Sequence, residues 1–389
     1  MSSTDNQGPS TPLSSFGRSL FGIRREQVHS VEASHESGSH DTGLESFQKL
    51  VTDRFHELCG VSDDDLLSIQ WMLKLLDAFL CCQEEFRAIL LKKKEQVSKP
   101  PLDRIISEFF ESSVKALDIC NASREGVEKI RVWQKQLEIV MSALDSKKRA
   151  LSEGMFRRAR KALMDLALAM LDDTGSTFSQ RNRSFGRHNT SKDKQHQSGH
   201  SRSHSWSVSR SWSASKQLQS IANNLAPPRA NEIAATNGLA IPVFTMYSIL
   251  LFVLWSLVAA IPCQDRGLNI HFSVPRQFSW STPVISLHEQ ILEVSKKRDR
   301  RNSNGLLKEI YQMEKCTQRL TDLVDSVQFP LTEEQKLEAE QVTEELNLIY
   351  ESFKGGLDPL ECQVREVFRK IMACRTEGLE YLSMMNFTE

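Results

Sequence analysis

LAIPVFTMYSILLFVLWSLVAAIPC, residues 239–263, is the stretch on which the reading of this chain turns. No charged residue occurs between Glu232 and Asp265. The segment between Pro242 and Pro262 rises roughly 28 Å as a helix, close to the hydrocarbon thickness of a bilayer. Leu239, Leu251, Val253, Trp255 and Cys263 mark out a membrane-segment candidate. Length, freedom from charge, and Tyr247 and Trp255 with flanking prolines favour lipid. Two features oppose it. Both aromatics lie inside the run and form no belt at its ends. The helical segments on either side also read as one cytosolic fold, which a single span would divide. A re-entrant hairpin, or a helix apolar all round because a bundle encloses it, keeps the halves together.

Outward from that run the chain is charged and helical. Leu44, Phe47, Leu50, Val51, Phe55 and Leu58 recur at three- and four-residue spacing up to Gly60. Ser62 and Asp65 resemble a helix start, followed by Leu66, Ile69, Leu73, Leu76 and Leu80 on one face. Pro100 and Pro101 interrupt the chain. Further helices are expected at 102–120, 127–144 and 153–171, then at 284–298, 306–327, 332–353 and 357–382, with Gly355, Gly356 and Pro359 separating the last two. No segment shows period-two alternation. The expected fold is all-α: a helical bundle in two sequence halves, 44–173 and 284–383, joined by a basic linker and the long apolar helix.

Two segments look unlike packed protein. Residues 1–43 are rich in Ser, Gly and Thr and are expected to be disordered. Within them FGRSLFGIRREQVHS (16–30) sets Phe16, Leu20 and Phe21 among arginines, a candidate docking element. Residues 174–232 hold nine Lys/Arg against two acids and few aliphatics, so they are expected to be a disordered linker. Arg stands three residues before Ser184, Ser205 and Ser213, a spacing basophilic kinases read; phosphate there would reverse the local charge. His196, His200 and His204 lack a folded scaffold and are read as chance composition, not a metal site.

Composition narrows the function classes. The 389 residues are 40% hydrophobic and 25% charged with net charge −1, so bulk electrostatics point to no nucleic-acid partner. The start of the chain has no basic region followed by an apolar stretch, and no lipidation box is seen at either end. The eight cysteines lack metal spacing and fall near apolar faces, which suits free thiols in a reducing cytosol. No phosphate-cradling loop, HExxH or nucleophile elbow occurs. No catalytic, cofactor or metal residue is assigned, and the chain is read as a non-enzyme. The sequence sets no oligomeric state.

Several long segments carry a resemblance. They are residues 16–30, the pattern Phe47, Val51, Arg54, Phe55, Leu58, the run DDDLLSIQWMLKLLDAFLCCQEEFRAIL (63–90), and LAIPVFTMYSILLFVLWSLVAAIPCQDRGL (239–268). Together they resemble the plant BYPASS-related proteins, and within them the Roh subgroup. The resemblance implies a non-enzymatic plant protein that binds exocyst subunits and influences polarised secretion, such as cell-wall polysaccharide or mucilage deposition. It implies a location at the plasma membrane as a single-pass protein, or in the cytosol. Two alternatives stay open: a membrane-associated regulator of a diffusible developmental signal, and a soluble helical scaffold with the apolar run buried.

Overall fold

Ser68 opens the second helix of the computed structural model, its hydroxyl accepting from the Trp71 backbone N–H at 3.1 Å. Such a side-chain cap satisfies one of the donors that a helix start leaves without an intrahelical partner. The cap lies six residues beyond Ser62, the start the sequence suggests. Ser62 instead bonds Asp65 in a turn that leads to Leu67, whose φ is +60°.

The structure describes residues 38–62, 64–144, 151–171, 213–263, 270, 272, 274–298 and 304–383. Among them all regular structure is helical: α1 (Gly38–Cys59), α2 (Ile69–Lys92), α3 (Lys94–Val97), α4 (Leu102–Ala143), α5 (Glu153–Leu171), α6 (Ala214–Asn224), α7 (Ala230–Ala235), α8 (Ala240–Ala260), α9 (Ser281–Lys297), α10 (Lys308–Ser326) and α11 (Glu333–Ser383). Residues His40–Glu389 form one unit. Within it α4 packs on α11, α5, α6 and α8, α2 packs on α11 and α8, and α10 lies against α11 and α5. The two sequence halves therefore share one core.

Three expectations need correction. Helices expected at 102–120 and 127–144 are one helix, α4, because Gly126 serves close approach and not a break. A Cβ there would lie 2.4 Å from Ile261 Cγ2 and 2.6 Å from the Pro262 carbonyl. Helices expected at 332–353 and 357–382 are likewise one, α11, with Pro359 inside it. Proline removes the bond to the carbonyl four residues back, here that of Gly355, which is exposed to water. Meanwhile the apolar face Phe353, Leu357, Leu360, Val364 and Val367 runs through without a phase break, all fully or nearly fully buried. At Gly356 a Cβ would meet Ile69 Cγ2 at 2.6 Å, so the small residue lets α2 come close.

The third correction concerns the linker. Regular structure resumes at residue 214, inside the span expected to be disordered through 232. Ser213 caps α6, and Ala214, Leu218 and Ile221 are fully buried at four- and three-residue spacing. That short stripe is hidden in the sequence by the serines around it. The expected N-terminal tail is shorter as well, since residues 38–43 belong to α1. Residues 1–37 and 172–212, where the rest of the expected disorder falls, lie outside the described residues.

None of the eight cysteines is in a disulfide, and Cys82, Cys120, Cys263, Cys316 and Cys374 are buried. Burial pushes the Cys82, Cys120 and Cys374 thiols up to about 12, which keeps them protonated.

Candidate functional site

The apolar stretch lies inside the bundle. Leu239 is 4%, Leu251 1%, Val253 0%, Trp255 2% and Cys263 8% exposed. α8 is long and apolar enough to cross a membrane by length and composition, and its apolar window is wholly buried among the other helices. Five elements surround it. Phe55 of α1 meets Phe252 edge-on at 6.0 Å, and Phe109 of α4 meets Tyr247 at 5.7 Å. His288 of α9 lies 4.4 Å from Trp255, and α2 and α6 close the remaining sides.

The hydroxyls of α8 are all hydrogen-bonded, to these neighbours or within the helix, while the Trp255 indole N–H is buried without a hydrogen-bond partner among the described residues. Gln48 of α1 donates to the Thr245 hydroxyl at 3.0 Å and accepts from the Trp280 indole at 2.8 Å. The Tyr247 hydroxyl donates to the Ile221 carbonyl of α6 at 3.2 Å and bonds Ser112 of α4. Burial raises the Tyr247 phenol above its ordinary range, outweighing the Ser112 bond. Ser248 and Ser256 return their hydroxyls to the Phe244 and Phe252 carbonyls, each at 2.9 Å. An isolated span would leave Thr245 and Tyr247 without these partners, and buried polar groups without hydrogen bonds are costly.

Residues 305–309 tie the C-terminal end of α8 to the start of α2. Leu306 and Leu307 donate backbone N–H groups to the Ala259 and Ala260 carbonyls at 2.9 and 3.0 Å, which satisfies the C-terminal end of α8. Gly305 sits at φ +112°, where a Cβ would press to 2.3 Å of the Ala260 oxygen. The Lys308 N–H reaches the Leu67 carbonyl at 2.9 Å. Glu309, 5% exposed, accepts from the Ile69 N–H at 3.1 Å and from Ser352, capping α2 from a different part of the chain. Burial raises the Glu309 carboxyl despite those bonds.

Two ion-pair clusters tie the long helices together. Glu361 of α11 bonds Arg131 of α4 at 2.7 Å and also Arg365, while Arg131 reaches Asp358 at 2.6 Å. Burial raises the Glu361 carboxyl, but the two arginines outweigh it and lower it overall. Arg87 of α2 grips Glu377 with two bonds of 2.7 Å each, which holds that carboxyl low.

The surface offers a cleft of about 360 Å³ between the start of α4, the α6–α7 connection and the start of α8. Ile105, Val243, Phe244 and Tyr247 form its apolar part, and Arg104, bonded to Glu108 at 2.8 Å and Glu232 at 2.7 Å, its charged rim. Sequence reasoning missed this cleft, because it depends on α6 and α7. It also missed the outward side of α5, where Met164, Leu168 and Leu171 are 60, 62 and 76% exposed. The signal was present as a second apolar stripe opposite Phe156, Ala159, Leu163 and Leu166.

Of the candidate docking and phosphorylation residues, Phe16, Leu20, Phe21, Ser184 and Ser205 lie outside the described residues. Ser213 is 7% exposed, with its hydroxyl accepting from the Lys216 N–H at 3.3 Å. Among the described residues, no three His, Cys, Asp or Glu side chains are gathered as a metal site.

The sequence is similar throughout its length to known plant proteins. It is 55% identical over 383 residues to Protein ROH1D of Arabidopsis thaliana, covering 94% of this chain and 96% of that one. It is 37% identical over 415 residues to Protein ROH1A of the same plant, covering 97% and 96%. A more distant likeness, 22% over 288 residues, joins 73% of the chain to 55% of UPF0496 protein 4 of Oryza sativa subsp. japonica. No solved structure matches. The family profile described as Protein ROH1-like matches residues 8–382, and the chain belongs to the ROH1-like family.

Proposed function

We propose that this protein is a non-enzymatic adaptor whose helical bundle presents its outer faces to exocyst subunits and modulates polarised secretion of cell-wall polysaccharide or mucilage. In this reading α8 is the central strut of a soluble fold, and contact with the plasma membrane comes through partners. The observation that carries it is the enclosure of α8, with its hydroxyls matched to Gln48, Ser112 and Ile221. With the most apolar segment inside, the chain offers partners the outer faces of long, rigid helices such as α4 and α11. The exocyst as partner rests on the resemblance to the Roh subgroup.

Purified full-length chain titrated with individual purified exocyst subunits tests this. Saturable binding to at least one subunit is expected. Binding no tighter than that of an unrelated helical bundle contradicts the adaptor reading.

The cleft beside Tyr247 favours a second reading, a regulator that holds a small diffusible molecule. Its volume falls within the range of ligand sites, roughly 300–1,000 Å³. Widening Val243→Ala should alter the protein's effect on development, with subunit binding intact, if that reading holds.

A further inference from the structure

The outward side of α5 is more ordered than scattered exposure. Arg157, Lys161, Met164, Leu168 and Leu171 recur at alternating four- and three-residue steps, and all are exposed. That is the spacing of a coiled-coil seam, on the side of the helix turned away from α4. Its first half is basic and its second half apolar.

A second seam of the same spacing lies on the first part of α11: Leu337, Gln341, Glu344, Leu348 and Glu351, again all exposed. Glu340, also exposed, stands beside it. This seam is acidic where that of α5 is basic, and both carry leucine further along.

The register of the two seams follows from their contacts with α10. Phe156 meets Phe329 at 5.5 Å and Arg160 meets Asp325 at 2.6 Å, so α5 runs antiparallel to α10. Arg319 meets Glu345 at 2.8 Å and Glu309 meets Ser352 at 3.3 Å, so α11 also runs antiparallel to α10. The two seams therefore run in the same direction. Asp325 and Arg319 are six residues apart on α10, and six residues beyond Arg160 on α5 is Leu166, level with Glu345. Lys161 is then level with Glu340, and Leu168 nearly level with Leu348.

We infer that a second copy of this chain covers these faces, in a two-fold dimer whose axis runs along α10. Such an axis sets α5 of one copy beside α11 of the other with chain direction preserved. Each contact occurs twice, as an isologous interface requires. Lys161 meets the turn carrying Glu340 and Glu344, while Leu168 and Leu171 meet Leu348. An anionic lipid surface fits less well. Asp165 is exposed beside the apolar residues of α5, and the acidic seam of α11 flanks α10 on the other side.

Sedimentation velocity of the full-length chain across the micromolar range tests this. A dimer of the 44.3 kDa chain is expected. Arg157→Glu with Lys161→Glu, or Glu340→Lys with Glu344→Lys, should each weaken dimerisation about tenfold or more. Combining all four in one chain should restore it, a rescue that misfolding does not produce. Leu168→Glu should give monomer with unchanged helical circular dichroism. A wild type that stays monomeric, or a dimer indifferent to both charge reversals, overturns the proposal. So does a monomer that co-sediments with phosphatidylcholine–phosphatidylserine vesicles and loses them on Lys161→Glu, which would assign the face to lipid.

Discussion

α8 and α5 are of similar length, and each carries leucines that the other's surroundings would not suit. Leu251 of α8 is 1% exposed and Leu168 of α5 is 62% exposed. α8 is apolar around its whole circumference because five elements press on it, and each of its hydroxyls has a place to go. α5 has two apolar stripes on opposite sides, one turned to α4 and one to water. A wholly apolar helix needs apolar surroundings on every side, and here the bundle supplies them. A helix with a second stripe reports what the fold leaves over for a partner.

The largest effect expected from this contrast is in α8. Leu251→Arg with Val253→Arg places two charges where no counter-charge is described, and each costs several kcal/mol. Stabilities of about 5–15 kcal/mol leave little margin, so the double variant should lose its cooperative thermal transition in detergent-free buffer. A variant that stays folded in that buffer would break the comparison, since α8 would then not be core.

A smaller effect is expected where α8 ends over α4. Gly126→Ala should destabilise by about 1–3 kcal/mol, because the clash is with the Pro262 backbone and not only with a flexible side-chain end. An unchanged denaturation midpoint would show that α4 and α8 are further apart than described here.

How far the sequence announces this arrangement differs from element to element. α5, α9 and α10 follow their apolar periodicity closely, since each has one well-marked inner stripe and clear stops. α4 and α11 do not, because Gly126, Gly356 and Pro359 read locally as breaks. Their actual role is set by Pro262, Ile69 and the solvent around Gly355, all remote in sequence. α6 is three buried residues in a serine-rich stretch and carries too little periodic signal to stand out. The apolar run of 239–263 announces itself at once, yet whether lipid or protein surrounds it depends on partners such as Gln48 and His288. Glu309 shows the same limit: nothing local marks it as the cap of α2, 240 residues away in sequence.

Glu309 gives a pH test of the α2 cap. Burial raises its carboxyl, so the folded chain holds this proton at pH values where the unfolded chain has released it. Its contribution to stability is therefore lost as pH rises through the window between the ordinary and the raised value. Glu309→Gln keeps an acceptor for the Ile69 N–H and removes the titration. The stability difference between wild type and variant should shift in favour of the variant as pH climbs through that window. A difference independent of pH would show that Glu309 is not buried at the α2 cap.

The smallest effect belongs to α5. Leu168→Gln should change stability by no more than about 0.5 kcal/mol, since the side chain is already in water in a single copy. The contrast with α8 is sharpened if thermal unfolding at low concentration is unchanged. A loss of several kcal/mol there would mean that α5 is enclosed like α8.

The account stands on the claim that α8 is the core of a folded bundle in water. Hydrogen–deuterium exchange of the purified full-length chain without detergent or lipid tests it directly, read at residues 240–260. Their amides should be among the slowest in the protein, exchanging with those of α2 and α4 in one cooperative event. Rapid exchange at 240–260, slowed only when detergent or bilayer is added, would contradict it.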